Sequence, residues 1–91
     1  MRVRIHPRAL KHGLNHDQIL AAYESGRSGA VIRSRDRSHD PQRWALIGFD
    51  HTGRAIELVF VHLATNAVLI FHANYLTKGF LKEVHDEQRL R

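Results

Sequence analysis

The sequence predicts a single α+β domain with two N-terminal helices, a four-stranded antiparallel meander sheet and a C-terminal helix. Three observations predict it. Apolar residues recur at helical spacing before residue 26 and again after residue 77. The middle of the chain is a run of segments rich in Val, Ile, Leu and Phe. The breaks between the later of these segments have hairpin length. Helices followed by a run of strands favour segregated α+β packing over alternating parallel units.

Each element has a local cause. Pro7 suits the first turn of a helix and Gly13 its end, so residues 6–12 read as a short helix. Asn15 is an N-cap residue and Asp17 complements the positive helix end. Leu14, Ile19, Leu20 and Tyr23 then give a helix over about 16–25, stopped by Gly26 and Gly29. Strands are expected at 30–33, 43–50 (interrupted by Gly48), 55–63 and 67–75. The polar run 34–42 is a loop, and 50–54 and 64–66 are hairpin connections. Thr77 begins a capping pattern for a last helix reaching about residue 87, with Phe80, Leu81 and Val84 on its apolar side.

With turns centred near Thr52 and Thr65, even-numbered residues share one sheet face: Trp44, Leu46, Ile56, Leu58, Phe60, His62, Val68, Ile70, His72 and Asn74. Ala45, Ile47, Phe49, Glu57, Val59, Val61, Leu63, Leu69, Phe71 and Tyr75 fall on the other. Both faces are largely apolar. The second is covered either by the terminal helix or by a partner, a second copy of the chain included.

At 91 residues the chain is one domain, 1–91. It has no cysteine, which removes disulfides and thiolate chemistry. Small domains without such staples often draw stability from a partner. Lys and Arg number 14 against 9 Asp and Glu, a net charge of +5, and only three of the 14 are lysines. The guanidinium fork fits phosphate oxygens, so a polyanion is the expected partner; the alternative is an inert basic surface. The N-terminus has no apolar core of signal-peptide length, and no stretch approaches the ~20 apolar residues of a membrane span. A cytoplasmic location without membrane contact is expected.

Eight histidines supply groups suited to proton transfer near neutrality. RNA cleavage through the 2′-hydroxyl needs a base, a cation for the phosphorane oxygens and an acid for the 5′-oxygen, all within the reach of His, Lys, Arg and Tyr. Lys11-His12-Gly13 closes the first predicted helix; it is either a phosphate-side pair or an ordinary C-cap. His72 and Asn74 stand near the end of the last strand on the Trp44 face, with Tyr75 opposite, and His72 is either catalytic or structural. His62 lies roughly 13 Å from His72 along the strand, too far for an acid–base couple. Arg33, Arg35, Arg37 and Arg43, with His39, cluster around the polar loop as a phosphate-tracking patch or a solvated loop. No HExxH, no paired Cys, no glycine-rich phosphate loop and no Gly-x-Ser-x-Gly elbow is present, so no metal or cofactor is expected.

Three stretches resemble the BrnT family of type II toxin ribonucleases, within the RelE-like toxins. They are Lys11-His12-Gly13-Leu14 with the helix after it, Arg43-Trp44-Ala45-Leu46-Ile47-Gly48 with Gly53-Arg54, and 70–77, Ile-Phe-His-Ala-Asn-Tyr-Leu-Thr. The likeness spans about residues 5–87. It implies a RelE-like fold, metal-independent RNA cleavage that inhibits translation, and a complex with a cognate DNA-binding antitoxin. It nominates Lys11, His12 and Arg43 for the active surface, with Thr77 nearby. The chain departs from the family where Asn74 replaces an arginine, and His72 is the candidate substitute. The expected catalytic set is therefore Lys11, His12, Arg43 and His72, with Arg33, Arg35, Arg37, Arg54, Asn74, Tyr75 and Thr77 contacting RNA. The alternatives are a non-catalytic nucleic-acid-binding domain and a protein-docking module on the same fold.

Overall fold

A computed structural model describes residues 2–34, 38, 40–63 and 66–89. The elements are strand β1 (Arg2–Ile5), a 3-10 turn (Pro7–Leu10), helix α1 (His16–Gly26), β2 (Ile32–Arg33), β3 (Arg43–Phe49), β4 (Ala55–Leu63), β5 (Ala67–Tyr75) and helix α2 (Lys78–Arg89). The fold is α+β, but the expected four-stranded meander after two N-terminal helices is wrong on two counts. Among the described residues the sheet is mixed and has five strands in the order β1-β5-β4-β3-β2, and there are two α-helices rather than three.

The first error is the N-terminal strand. Val3 and Ile5 alternate with Arg2 and Arg4, and β1 pairs parallel with β5 in the register Arg2↔Ala67 to Ile5↔Ile70. Val3 and Ile5 thereby pack against the main core. The second is the segment 6–12, where only a 3-10 turn forms. A segment this short does not repay helix nucleation. It is capped instead by the His6 ring, whose Nδ1 accepts from Arg8 N–H at 3.1 Å. Gly13, at φ +86°, reverses the chain directly after it.

Helix α1 begins as the sequence leads one to expect. Asn15 Oδ1 accepts from Gln18 N–H at 2.9 Å, and Gln18 Oε1 accepts from Asn15 N–H at 3.0 Å. Its Ile19, Ala22 and Tyr23 join Leu46, Ile56, Leu58, Phe60, Val68 and Ile70 in the main core. The helix approaches β3 so closely that a Cβ on Gly48 would sit 1.8 Å from the Ala22 carbonyl oxygen. The β3–β4 hairpin is fixed by Asp50, whose Oδ1 accepts from Thr52 Oγ1 at 2.7 Å, Thr52 N–H at 2.9 Å and Arg54 N–H at 3.0 Å. These bonds, that from the Thr52 hydroxyl foremost, outweigh partial desolvation and hold its carboxyl at about 2.

The opposite face of the sheet carries α2. Phe80 and Val84 pack with Ile32 and Ala45, flanked by Ile47, Val59 and Leu76. The chain's own last helix therefore covers this face over β2 to β4.

One irregularity overturns the expected side-chain alternation. β4 and β5 pair as His62↔Val68 and Phe60↔Ile70, but Val59 then pairs with His72, so Phe71 is extra. Such a bulge switches the face of every later residue on its strand. His72 and Asn74 consequently share the α2 face with Val59 and Glu57, not the Trp44 face, and Tyr75 pairs with Ile56 on the α1 side.

Candidate active site

The bulge aims His72 at a carboxylate that the sequence reading passed over. Glu57 sits in the middle of β4, only 4% exposed, among apolar neighbours. Its Oε2 lies 2.7 Å from His72 Nε2. Its Oε1 accepts from Thr77 N–H at 2.8 Å and from Thr77 Oγ1 at 2.7 Å. Burial pushes the Glu57 carboxyl up, but the bonds from His72 and Thr77 more than reverse that, and the net shift is downward. An ionised carboxylate only accepts, so Nε2 of His72 is the protonated nitrogen. Nδ1 is left to take or give a proton.

Thr77 also ties this pair to α2. Its hydroxyl oxygen accepts from Phe80 N–H at 3.3 Å, and its carbonyl accepts from Leu81 N–H. The carboxylate thus rests at the positive end of a helix, where an anion is favoured.

His72 lines a cleft of about 410 Å³ between the sheet, the 3-10 turn and α2. Ala45, Val59 and Phe71 form its floor; Arg8 and Lys11 enter from the turn; Arg43 comes from β3, Ser34 from the end of β2, and Phe80 and Glu83 from α2. The Arg43 guanidinium lies 5.2 Å from the Phe71 ring centre. Three cations and one carboxylate around an imidazole give the cleft wall an excess of positive side chains, which suits an anionic ligand such as a phosphate.

Lys11, Arg43 and His72, three of the four expected catalytic residues, line this cleft together. The His12 ring lies edge-on to His72, with centres 5.7 Å apart. Thr77 acts through Glu57 rather than from the cleft wall. Asn74 caps its own strand, its Oδ1 accepting from Tyr75 N–H at 2.8 Å. Arg54 lies over the Tyr75 ring at 3.7 Å, and Tyr75 is on the α1 side, so neither borders the cleft. Arg33 pairs across from Trp44 and holds Gln42 Oε1 at 2.7 Å, also outside it. Arg35, Arg37 and His39 lie outside the described residues.

Arg8 and Glu57 were missed, and both left a signal. Arg8 is three residues before Lys11, the spacing that superposes side chains on a 3-10 turn. Glu57 is the single charge within an apolar strand, where an acidic side chain needs a partner. No group of three or more His, Asp or Glu side chains placed to hold a metal occurs among the described residues.

Comparison with protein-family models, with curated proteins and with solved structures finds no match for the chain.

Proposed function

We propose that the chain is a metal-independent ribonuclease acting in the cytoplasm as the toxin of a type II toxin–antitoxin pair, held in check by a cognate DNA-binding antitoxin. The observation that carries the catalytic part is the Glu57–His72 pair facing a cleft rimmed by Arg8, Lys11 and Arg43. The toxin assignment is supported by the BrnT-like motifs at residues 11–14, 43–48 and 70–77.

The chemistry follows from the atoms. Nδ1 of neutral His72 takes the proton of a ribose 2′-hydroxyl. The 2′-oxygen attacks phosphorus and the bond to the 5′-oxygen breaks, leaving a 2′,3′-cyclic phosphate. The 5′-oxygen needs a proton as it leaves, and we assign that role to His12, whose ring centre lies 5.7 Å from that of His72. Arg8, Lys11 and Arg43 offset the charge that grows on the phosphorane oxygens. Glu57 holds the His72 ring in place and stabilises its imidazolium, as a carboxylate does behind a catalytic histidine. Arg43 and Arg8 supply the fixed charge that Asn74 cannot.

Expression in a bacterial host tests the biological reading. Induced wild-type chain is expected to arrest growth, and the arrest is expected to disappear with the His72→Ala, His12→Ala or Arg43→Ala variant and on co-expression of the neighbouring antitoxin gene. Growth indistinguishable between induced wild type and His72→Ala would remove the toxin assignment.

A further inference from the structure

We infer that the substrate runs on from the cleft along the N-terminal edge of the sheet, where Arg2 and Arg4 hold two further phosphates of a single-stranded RNA. This placement rests on the proposal that the cleft takes RNA. Strand register puts both arginines on the right face. Side chains in one cross-strand row stand on one face of a sheet, and the next row on that face lies two residues along. His72 shares its row with Val59 and Ala45. The next row is Arg43, Val61, Leu69 and Arg4. One row further stand Leu63, Ala67 and Arg2. Arg43, Arg4 and Arg2 therefore belong to the His72 face. The burial of β1 agrees: Arg2 and Arg4 are exposed, whereas Val3 and Ile5 pack against the main core on the other face.

Charge and spacing fit a polyanion strand. Apart from the three arginines, the two outer rows hold only apolar side chains, with no carboxylate to compete. Helix α2 packs over β2 to β4, and Leu69 on β5 stays partly exposed. Among the described residues neither Arg2 nor Arg4 has an ion pair or a side-chain hydrogen bond. A guanidinium with no internal partner offers its whole fork to phosphate oxygens. Arg4 stands one strand over and one row away from His72, roughly 8 Å between Cα atoms, and Arg2 follows roughly 6.6 Å further along β1. Steps of this size match successive phosphates of an extended single strand. Cleavage itself asks for a single strand, because in-line attack by the 2′-oxygen needs a ribose released from duplex geometry. Contacts of this kind set position and affinity without reading sequence, so Arg2 and Arg4 add no base preference.

The test is a calorimetric titration of the full chain, over a salt series, with 2′-O-methyl RNA that the 2′-oxygen cannot cleave. A dinucleotide is compared with hexanucleotides extended on its 5′ or its 3′ side. One of the two hexanucleotides is expected to bind about tenfold or more tighter than the dinucleotide at about 50 mM salt. In the Arg2→Gln/Arg4→Gln double variant that gain is expected to vanish. The slope of log affinity against log salt is expected to fall by about 1.4, the value for two single-strand phosphates. Its melting temperature and dinucleotide affinity are expected to stay put, which shows the variant folded. Arg2→Lys/Arg4→Lys is expected to keep the salt slope. Equal affinities for all lengths, no binding of any, or a length gain that survives the double Gln variant would overturn the inference. Unmodified RNA separates it from the reading beneath. Arginine-dependent binding of intact, uncut RNA would remove the ribonuclease and leave the track. Cleavage indifferent to length and to both arginines would do the reverse.

Discussion

Among single residues, the proposed cleavage depends on a carboxylate and an imidazole 2.7 Å apart on neighbouring strands. His72→Ala is expected to lower cleavage by about 10²–10⁴-fold, the usual worth of a positioned proton-transfer group. Glu57→Gln keeps the shape but weakens three contacts, and should cost about 1–3 kcal/mol of stability at pH 7. The sign of its pH dependence follows from the lowered carboxyl. A depressed folded-state value gives stability that is complete above the unfolded value of 4.5 and is lost as pH falls through the folded one. Denaturant titrations should therefore show the gap between wild type and Glu57→Gln closing below pH 4.5. A gap that widens in acid would contradict the pairing. Asp50, held at about 2 by the hairpin bonds, should add its own loss of stability between 3.8 and about 2 in both proteins.

Among the elements, packing explains both what could be read in the sequence and what could not. Helix α1 and its cap were legible because Asn15, Gln18 and the apolar spacing act within a few residues of one another. β3, β4, β5 and α2 were legible for the same reason. β1 was not, because four alternating residues make a strand only when β5, more than 60 residues later, offers its edge. The bulge at Phe71 was equally hidden, since no local signal sets the pairing of Val59 with His72. As a result the residue type at position 72 was recognised and its face was not. Lys11 and Arg43 line the cleft, whereas Tyr75, with Arg54 over its ring, lies on the α1 side. Glycines give the sharpest check on this packing. Gly48→Ala drives a methyl into the Ala22 carbonyl and is expected to cost about 1–3 kcal/mol or more, read as a lowered melting temperature. Gly79→Ala, in the first turn of α2 with nothing within 4 Å of the added carbon, should be neutral or stabilising by up to about 1 kcal/mol.

For the molecule as a whole, the net charge is +5, and Arg8, Lys11 and Arg43 bring part of it to the cleft. RNA affinity should fall steeply with salt. Neutralising one cleft cation, as in Lys11→Gln, should reduce the slope of log affinity against log salt by about 0.7. The same change at Lys82, outside the cleft, should alter the slope less. No helix among the described residues is long and apolar enough to cross a membrane. The most direct test of the central claim is to incubate purified chain with RNA in EDTA and identify the new ends. The account expects 2′,3′-cyclic phosphate and 5′-hydroxyl ends, with product formation lost in His72→Ala. RNA that stays intact with the wild type, or cleavage undiminished in His72→Ala, would contradict it.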